Sequence, residues 1–246
     1  MTQPRCTSEA GAALMEVLLA SLISLTVAAA LLGLVRPAHG IVQAQPERSD
    51  MYQRLRVAVD SLTRDVLTAG AGLPPDVPPV VPYRIGARDS DVETEVAFRP
   101  DAVSVRWVPG EAAPLVSRTY YLERDAGTDT FQLMQYDGAV TDLPLVDHVV
   151  DLAFTYIDVA GSQLDPAALQ DGPWQPDADA GGSFDEDLLR IRRVRAAIRV
   201  RAALASMRGP SGRLFARGGT STSAERFIPD VPLEFDVTLR NGHPAE

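Results

Sequence analysis

The feature that constrains this chain most is an apolar run at residues 12–35, AALMEVLLASLISLTVAAALLGLV. At about 1.5 Å of rise per residue it forms a helix roughly 36 Å long, enough to cross a hydrocarbon core of about 30 Å. Arg36 and Pro37 close it, and Glu16 is the only ionisable residue inside it. A carboxylate in a spanning helix costs about 2.5–3.5 kcal/mol even on the lenient insertion scale, so Glu16 requires a reason. A secretory signal peptide would bring a basic head and a shorter apolar core, whereas Arg5 and Glu9 cancel in the segment before this run. A plain single-span anchor accounts for the length but not for Glu16.

The stretch Gly11-Ala12-Ala13-Leu14-Met15-Glu16 resembles the processing site of type IV pilin-like precursors. There a short polar leader ends in Gly, and a Glu stands fifth in the mature chain. Ala12 and Ala13 stand where that family usually has Phe and Thr. The resemblance implies cleavage by a prepilin peptidase between Gly11 and Ala12, N-methylation of Ala12, and a filament-assembly role for Glu16. Glu16 would pair with the Ala12 ammonium of a neighbouring subunit. Two charges that are each expensive in a low-dielectric bundle neutralise one another, and such a pair sets register.

Beyond the run, residues 51–69, MYQRLRVAVDSLTRDVLTA, place Met51, Leu55, Val59, Leu62, Val66 and Ala69 on one face of an amphipathic helix. Arg54, Asp60, Arg64 and Asp65 occupy the remainder, with Asp60 and Arg64 spaced to pair. Gly70, Gly72, Pro74 and Pro75 stop it. Gly33, Pro37, Gly40 and Pro46 lie between the two helical stretches and predict a kinked or locally melted link. Gln53-Arg54-Leu55-Arg56-Val57-Ala58-Val59-Asp60, with Leu62-Thr63-Arg64-Asp65-Val66 and Ala69-Gly70, resembles the helix of PilW-like minor pilins. The terminal Leu239-Arg240-Asn241 is similar to that group as well.

Residues 73–82, LPPDVPPVVP, read as an extended loop. Short β-like runs follow at 96–98, 102–108, 116–123, 130–136 and 148–159, with a hairpin turn at Asp125-Ala126-Gly127-Thr128. Residues 160–187 are polar and read as a long surface loop, in which Asp177, Asp179, Asp185, Glu186 and Asp187 miss the EF-hand spacing. Residues 190–204 alternate: Val194, Ala196, Ile198, Val200, Ala202 and Leu204 share one face, and Arg193, Arg195, Arg199 and Arg201 the other. That basic stripe is either a solvated strand face or a contact for an acidic neighbour. The final run alternates again, with Leu233, Phe235, Val237 and Leu239 facing inward.

Composition narrows the function. Formal net charge is −10, and all 23 basic residues are Arg, which disfavours nucleic acid as a partner. Mean hydropathy of −0.02 does not fit a multi-span membrane protein. The one cysteine, Cys6, excludes a disulfide framework within these residues. His39, His148 and His243 show no metal-ligand spacing. Gly218-Gly219-Thr220-Ser221 lacks a phosphate-loop lysine, and no nucleophile elbow occurs. No catalytic, metal or cofactor site is expected.

The expected fold is α+β: a long N-terminal transmembrane and amphipathic helix packed on an antiparallel β-sheet. The expected divisions are a leader at 1–11, a transmembrane and assembly segment at 12–35, a kinked link and amphipathic helix at 36–72, and a β-rich globular domain at 73–246. The resemblance implies a minor pilin or pseudopilin that assembles or primes a type IV pilus. Its partners would be other pilin or pseudopilin subunits, the peptidase and the inner membrane, with the globular domain outside the cytoplasm. A J-type minor pseudopilin of type II secretion and a membrane-tethered envelope binding module are the rival readings.

Overall fold

The computed structural model describes residues 9–83, 98–111, 113–128, 130–177, 182–208 and 228–241. One helix, α1 (Glu9–Thr68), runs for 60 residues, about 90 Å at the standard rise. The link expected to be kinked or melted is not melted, because the backbone is helical through Pro37 and Pro46. Each proline deletes one ladder hydrogen bond, while the turns on either side keep theirs. Tertiary support begins between the two prolines, at buried Ala44.

From Ala44 onward α1 buries one face, Glu47, Met51, Leu55, Ala58, Leu62 and Val66, continued by Ala69 just past its end. Spacings of three and four keep these side chains in line. The expected Val59 is only half-buried and Ala58 takes its place. Each large apolar side chain in that row contributes about 1.5–3 kcal/mol by leaving water. Asp60 meets Arg56 at 3.8 Å rather than the expected Arg64.

The face packs on a seven-stranded antiparallel sheet. Its strands are β1 (Val80–Val81), β2 (Val103–Trp107), β3 (Val116–Arg124), β4 (Phe131–Tyr136), β5 (Asp142–Ile157), β8 (Arg193–Val200) and β9 (Val231–Thr238), in the order β1-β2-β3-β4-β5-β8-β9. The α+β arrangement of a long helix on an antiparallel sheet is as expected. β8 alternates half-buried and buried residues along its length, as its period of two requires. Leu204 departs from that face and is exposed, because β8 ends at Val200. The Asp125–Thr128 turn joins β3 to β4, with Asp125 N–H bonded to Thr130 O at 3.1 Å.

Several expectations need correction. The 73–82 stretch is not wholly loop: Val80 and Val81 pair with Val105 and Ser104, at a sheet edge where flanking prolines do no harm. β5 begins at Asp142, six residues before the expected start, and carries Pro144. The expected run at 96–98 lies outside the described residues apart from Phe98, which is not in a strand. Residues 160–187 are not a plain loop. They hold the hairpin β6 (Trp174–Asp177) and β7 (Gly182–Asp185), preceded by the short 3-10 turn Pro166–Leu169. Leu164, Leu169 and Phe184 are buried there. These apolar residues are too sparse to show a period.

The helix end closes tightly. Gly70 has φ +83°, and a Cβ on it would lie 2.6 Å from the Asn241 carbonyl oxygen. Gly70 N–H bonds Arg106 O at 2.9 Å, and Val108 N–H bonds Ala71 O at 2.7 Å. Gly70→Ala is therefore expected to lose about 2 kcal/mol, from the left-handed backbone and the collision with main chain. Urea denaturation of the two proteins side by side measures it. An unchanged midpoint would mean that Asn241 moves aside freely.

Candidate assembly segment and its anchorage

The structure leaves the first half of α1 bare. Ala13–Gly33 is 21 residues with mean hydropathy 2.2, and none of it is buried. Leu14, Met15, Leu18, Leu22, Leu25 and Leu32 are each more than half exposed. Apolar surface on this scale needs a cover, whether lipid or another helix. Two of its hydroxyls bond back to the helix: Ser21 donates to Val17 O at 2.7 Å and Thr26 to Ile23 O at 2.8 Å. Those bonds suit a segment that meets no water. Val17, Ala20, Ser21, Ser24, Leu25 and Ala28 line a shallow groove along it. Ala20, Ser24 and Ala28 repeat every fourth residue, the spacing that lets two helices approach closely.

Glu16 is exposed near the start of this segment and has no ion pair or hydrogen bond among the described residues. Gly11 and Ala12 are helical, five and four residues before it. Of the expected leader at 1–11, residues 1–8 lie outside the described residues. What this surface can do chemically is simple. It offers a continuous apolar face and a single negative charge, so it accepts an apolar partner that brings a cation.

The second half of α1 is held by a polar network that the helical pattern did not reveal. Asp65, expected on the solvent side, is 4% exposed. Its carboxylate takes Arg118 Nη1 at 3.1 Å on both oxygens and Tyr120 OH at 2.6 Å. Gln135 Nε2 bonds Asp65 at 3.2 Å and Tyr120 OH at 2.7 Å. The Arg118 guanidinium also stands 5.5 Å over the Trp107 ring. Burial, and then the Asp65 charge, push the Tyr120 phenol well above its ordinary value. The partners come from β2, β3 and β4, so nothing near Asp65 in sequence announces them.

At the helix terminus the Asn241 amide reaches the carbonyls of Leu67, Thr68 and Ala69 at 3.4, 3.4 and 3.5 Å. Leu67 and Thr68 supply two of the last four carbonyls of α1, which an α-helix leaves without internal partners. Ala69-Gly70 and Leu239-Arg240-Asn241, two stretches picked out by resemblance, thus meet in space.

Arg106 supplies a second anchor on the opposite face of β2. It is fully buried and pairs with Asp177 at 2.7 Å, while its Nε donates to Pro78 O at 2.9 Å. Burial raises the nearby Tyr83 phenol to about 12, against the lowering effect of Arg106. Asp185 accepts from Gly172 N–H at 2.7 Å and Asp187 N–H at 2.9 Å. Among the described residues no group of His, Cys, Asp or Glu gathers as a metal site.

The basic stripe of β8 is occupied within the chain. Arg195 meets Asp236 at 2.7 Å and Glu234 at 3.3 Å, Arg193 meets Asp236 at 3.6 Å, and Arg199 meets Asp151 at 3.8 Å. Arg201 lies 3.9 Å from Asp230. The cross-strand pairing on β9 and β5 leaves a neutralised ladder, not a basic surface awaiting a partner. Of the histidines, His148 is half-buried inside β5; the His39 side chain and His243 lie outside the description.

No family model matches the chain. No curated protein matches it. Among solved structures it is similar to the type IV-like pilin TTHA1219 from Thermus thermophilus, with 12% identity and a TM-score of 0.38 over 78% of this chain and 97% of that chain. A likeness of shape at that level carries no weight for function.

Proposed function

We propose that this chain is a minor pilin or pseudopilin, of the PilW-like kind, that enters or primes a type IV pilus by packing the first half of α1 against like helices. The observation that carries this is the division of one continuous helix. The half after Ala44 is docked on the sheet, whereas Ala13–Gly33 is bare, apolar and marked by a single carboxylate. A membrane would cover the apolar face but would leave Glu16 costly. A neighbouring subunit's free amine at Ala12 answers that cost. The proposed life history is insertion in the inner membrane with the globular domain outside the cytoplasm. Removal of residues 1–11 by prepilin peptidase, methylation of Ala12, and lateral assembly through residues 12–35 follow. The groove at Ala20, Ser24 and Ala28 supports close helix packing.

The test is the N-terminal mass of the protein from cells with and without active prepilin peptidase. A start at Ala12 only when the peptidase is active, with one added methyl group, is expected. The same cells should lose the subunit from sheared filaments when Glu16→Leu is introduced. An intact leader in both strains, together with full function of the Glu16→Leu protein, would instead make the chain a membrane-tethered binding module. Normal processing with incorporation in a secretion pseudopilus rather than a pilus would make it a J-type subunit.

A further inference from the structure

His148 sits at φ +57°, where an L side chain is uncommon. It lies within a register shift between β4 and β5, between Val146 and Val149, and its carbonyl accepts Arg201 N–H at 3.0 Å. Its Nδ1 stands 3.3 Å from Arg208 Nη2 and 3.3 Å from Thr130 Oγ1. Arg208 cannot accept a hydrogen bond, so Nδ1 is the bare nitrogen and the ring proton is on Nε2. Arg208 in turn grips the segment after β8, donating to Ala202 O at 2.6 Å and Ala203 O at 3.0 Å. That segment holds the helix: Ala203 N–H donates to buried Glu47, and Arg54, itself paired with Asp50, donates to Arg201 O at 3.4 Å.

We infer that His148, Arg208 and Glu47 form a proton-sensitive latch through which the globular domain grips α1 at residues 47–54. With neutral His148 the chain of contacts runs from the β5 bulge through Arg208 and residues 202–203 to the helix. Protonation at Nδ1 removes the acceptor that faces Arg208 and puts a second cation beside it. Nδ1–H then turns to Thr130 Oγ1, which can accept. Arg208 is driven off, and the carbonyls it positions lose their clamp.

The groups around His148 set the direction. Burial, Arg54 on α1 and Arg208 hold the imidazole below its ordinary value, while Asp147 on β5 and Asp125 in the β3–β4 turn pull upward. A histidine whose folded value is depressed adds stability above its unfolded value near 6.5, and that contribution drains away as pH falls below it. The latch is therefore closed at neutral pH and weakened by mild acid.

Amide hydrogen exchange of the full-length protein in detergent micelles at about pH 7.5 and about pH 5.5 tests this. Protection factors, which remove the intrinsic pH dependence of exchange, are the readout. In the wild type, protection at residues 44–54 and 201–208 should fall roughly fivefold in acid, the factor for two unit charges about 4 Å apart in water. Residues 152–156 of β5 should not change. His148→Asn tolerates the positive φ and cannot charge, so its acid-induced loss should vanish. Arg208→Gln removes the repelled cation and should also flatten the response, which decides the matter if the first variant does not fold. The same acid-induced loss in the wild type and in either variant would overturn the latch, as would uniform loss across the sheet.

Discussion

Arg106→Ala should lower the stability of the globular domain by about 3–5 kcal/mol, the range seen when one member of a buried ion pair is removed. No water reaches the guanidinium, which is 0% exposed. It binds Asp177 in the β6–β7 hairpin and Pro78 O in the segment before β1, while its main-chain N–H holds Pro79 O at 2.9 Å. Truncation takes the buried cation from Asp177 and also leaves a void the size of an arginine side chain. The pair itself need not be worth that much. Among the described residues Arg106 Nη2 has no hydrogen-bond partner, so part of the desolvation cost is not recovered from them. Arg106→Met combined with Asp177→Leu should therefore cost far less than Arg106→Ala alone. Guanidinium unfolding followed by the fluorescence of adjacent Trp107 gives both numbers. A loss under about 1 kcal/mol for Arg106→Ala would show that water enters and solvates the site.

The second large effect is expected at Asp65. Asp65→Ala should cost about 3 kcal/mol, the low end for a buried pair. Arg118 explains the discount, since its side chain is 38% exposed against 5% for Asp65 and can turn back to water. Tyr120 is less fortunate. Its hydroxyl keeps Ser61 O at 3.2 Å and Gln135 but loses its short bond to the carboxylate. Tyr120→Phe in the Asp65→Ala background should then be far milder than in the wild type, with a coupling of about 1–3 kcal/mol in the cycle. Strict additivity of the two losses would mean that the hydroxyl and the carboxylate do not act as a unit.

Asp65 also shows where sequence reasoning stops. In MYQRLRVAVDSLTRDVLTA its chemistry groups it with the charged residues, although its position, three after Leu62 and four before Ala69, puts it on the apolar face. Arg118 and Tyr120 lie 53 and 55 residues away, so the partners that let a carboxylate be buried on that face come only with the folded sheet. Arg106 and Asp177 are 71 residues apart and are invisible for the same reason. Short-range patterns fared better. The alternation in Val194–Val200 located β8 and its faces, because the period of a strand is written in neighbouring residues. Gly70 and the prolines after it marked the helix end, since those residues act on their own backbone. The β6–β7 hairpin was missed because it is short, polar and carries only Phe184 as a buried residue in its two strands apart from Asp177 and Asp185. The candidate assembly segment was the most legible part, because unbroken apolarity around one carboxylate involves no distant partner. The His148 cluster was not legible at all, as Arg208, Glu47 and Thr130 reach it from three separate parts of the chain.

The meeting of Gly70 with Asn241 has a consequence for the order of events at synthesis. The helix emerges from the ribosome before any strand that will cover it. Its terminal carbonyls are reached by Asn241, and β9 lies against the same helix. The docking face of α1 therefore stays open until the last strand of the sheet has been made. Long-range closure of this kind is slow compared with helix formation, and a half-made sheet exposes unpaired edges. The bare N-terminal half makes no contact that waits on the sheet, so it is complete as a helix while the domain still has to close beyond it.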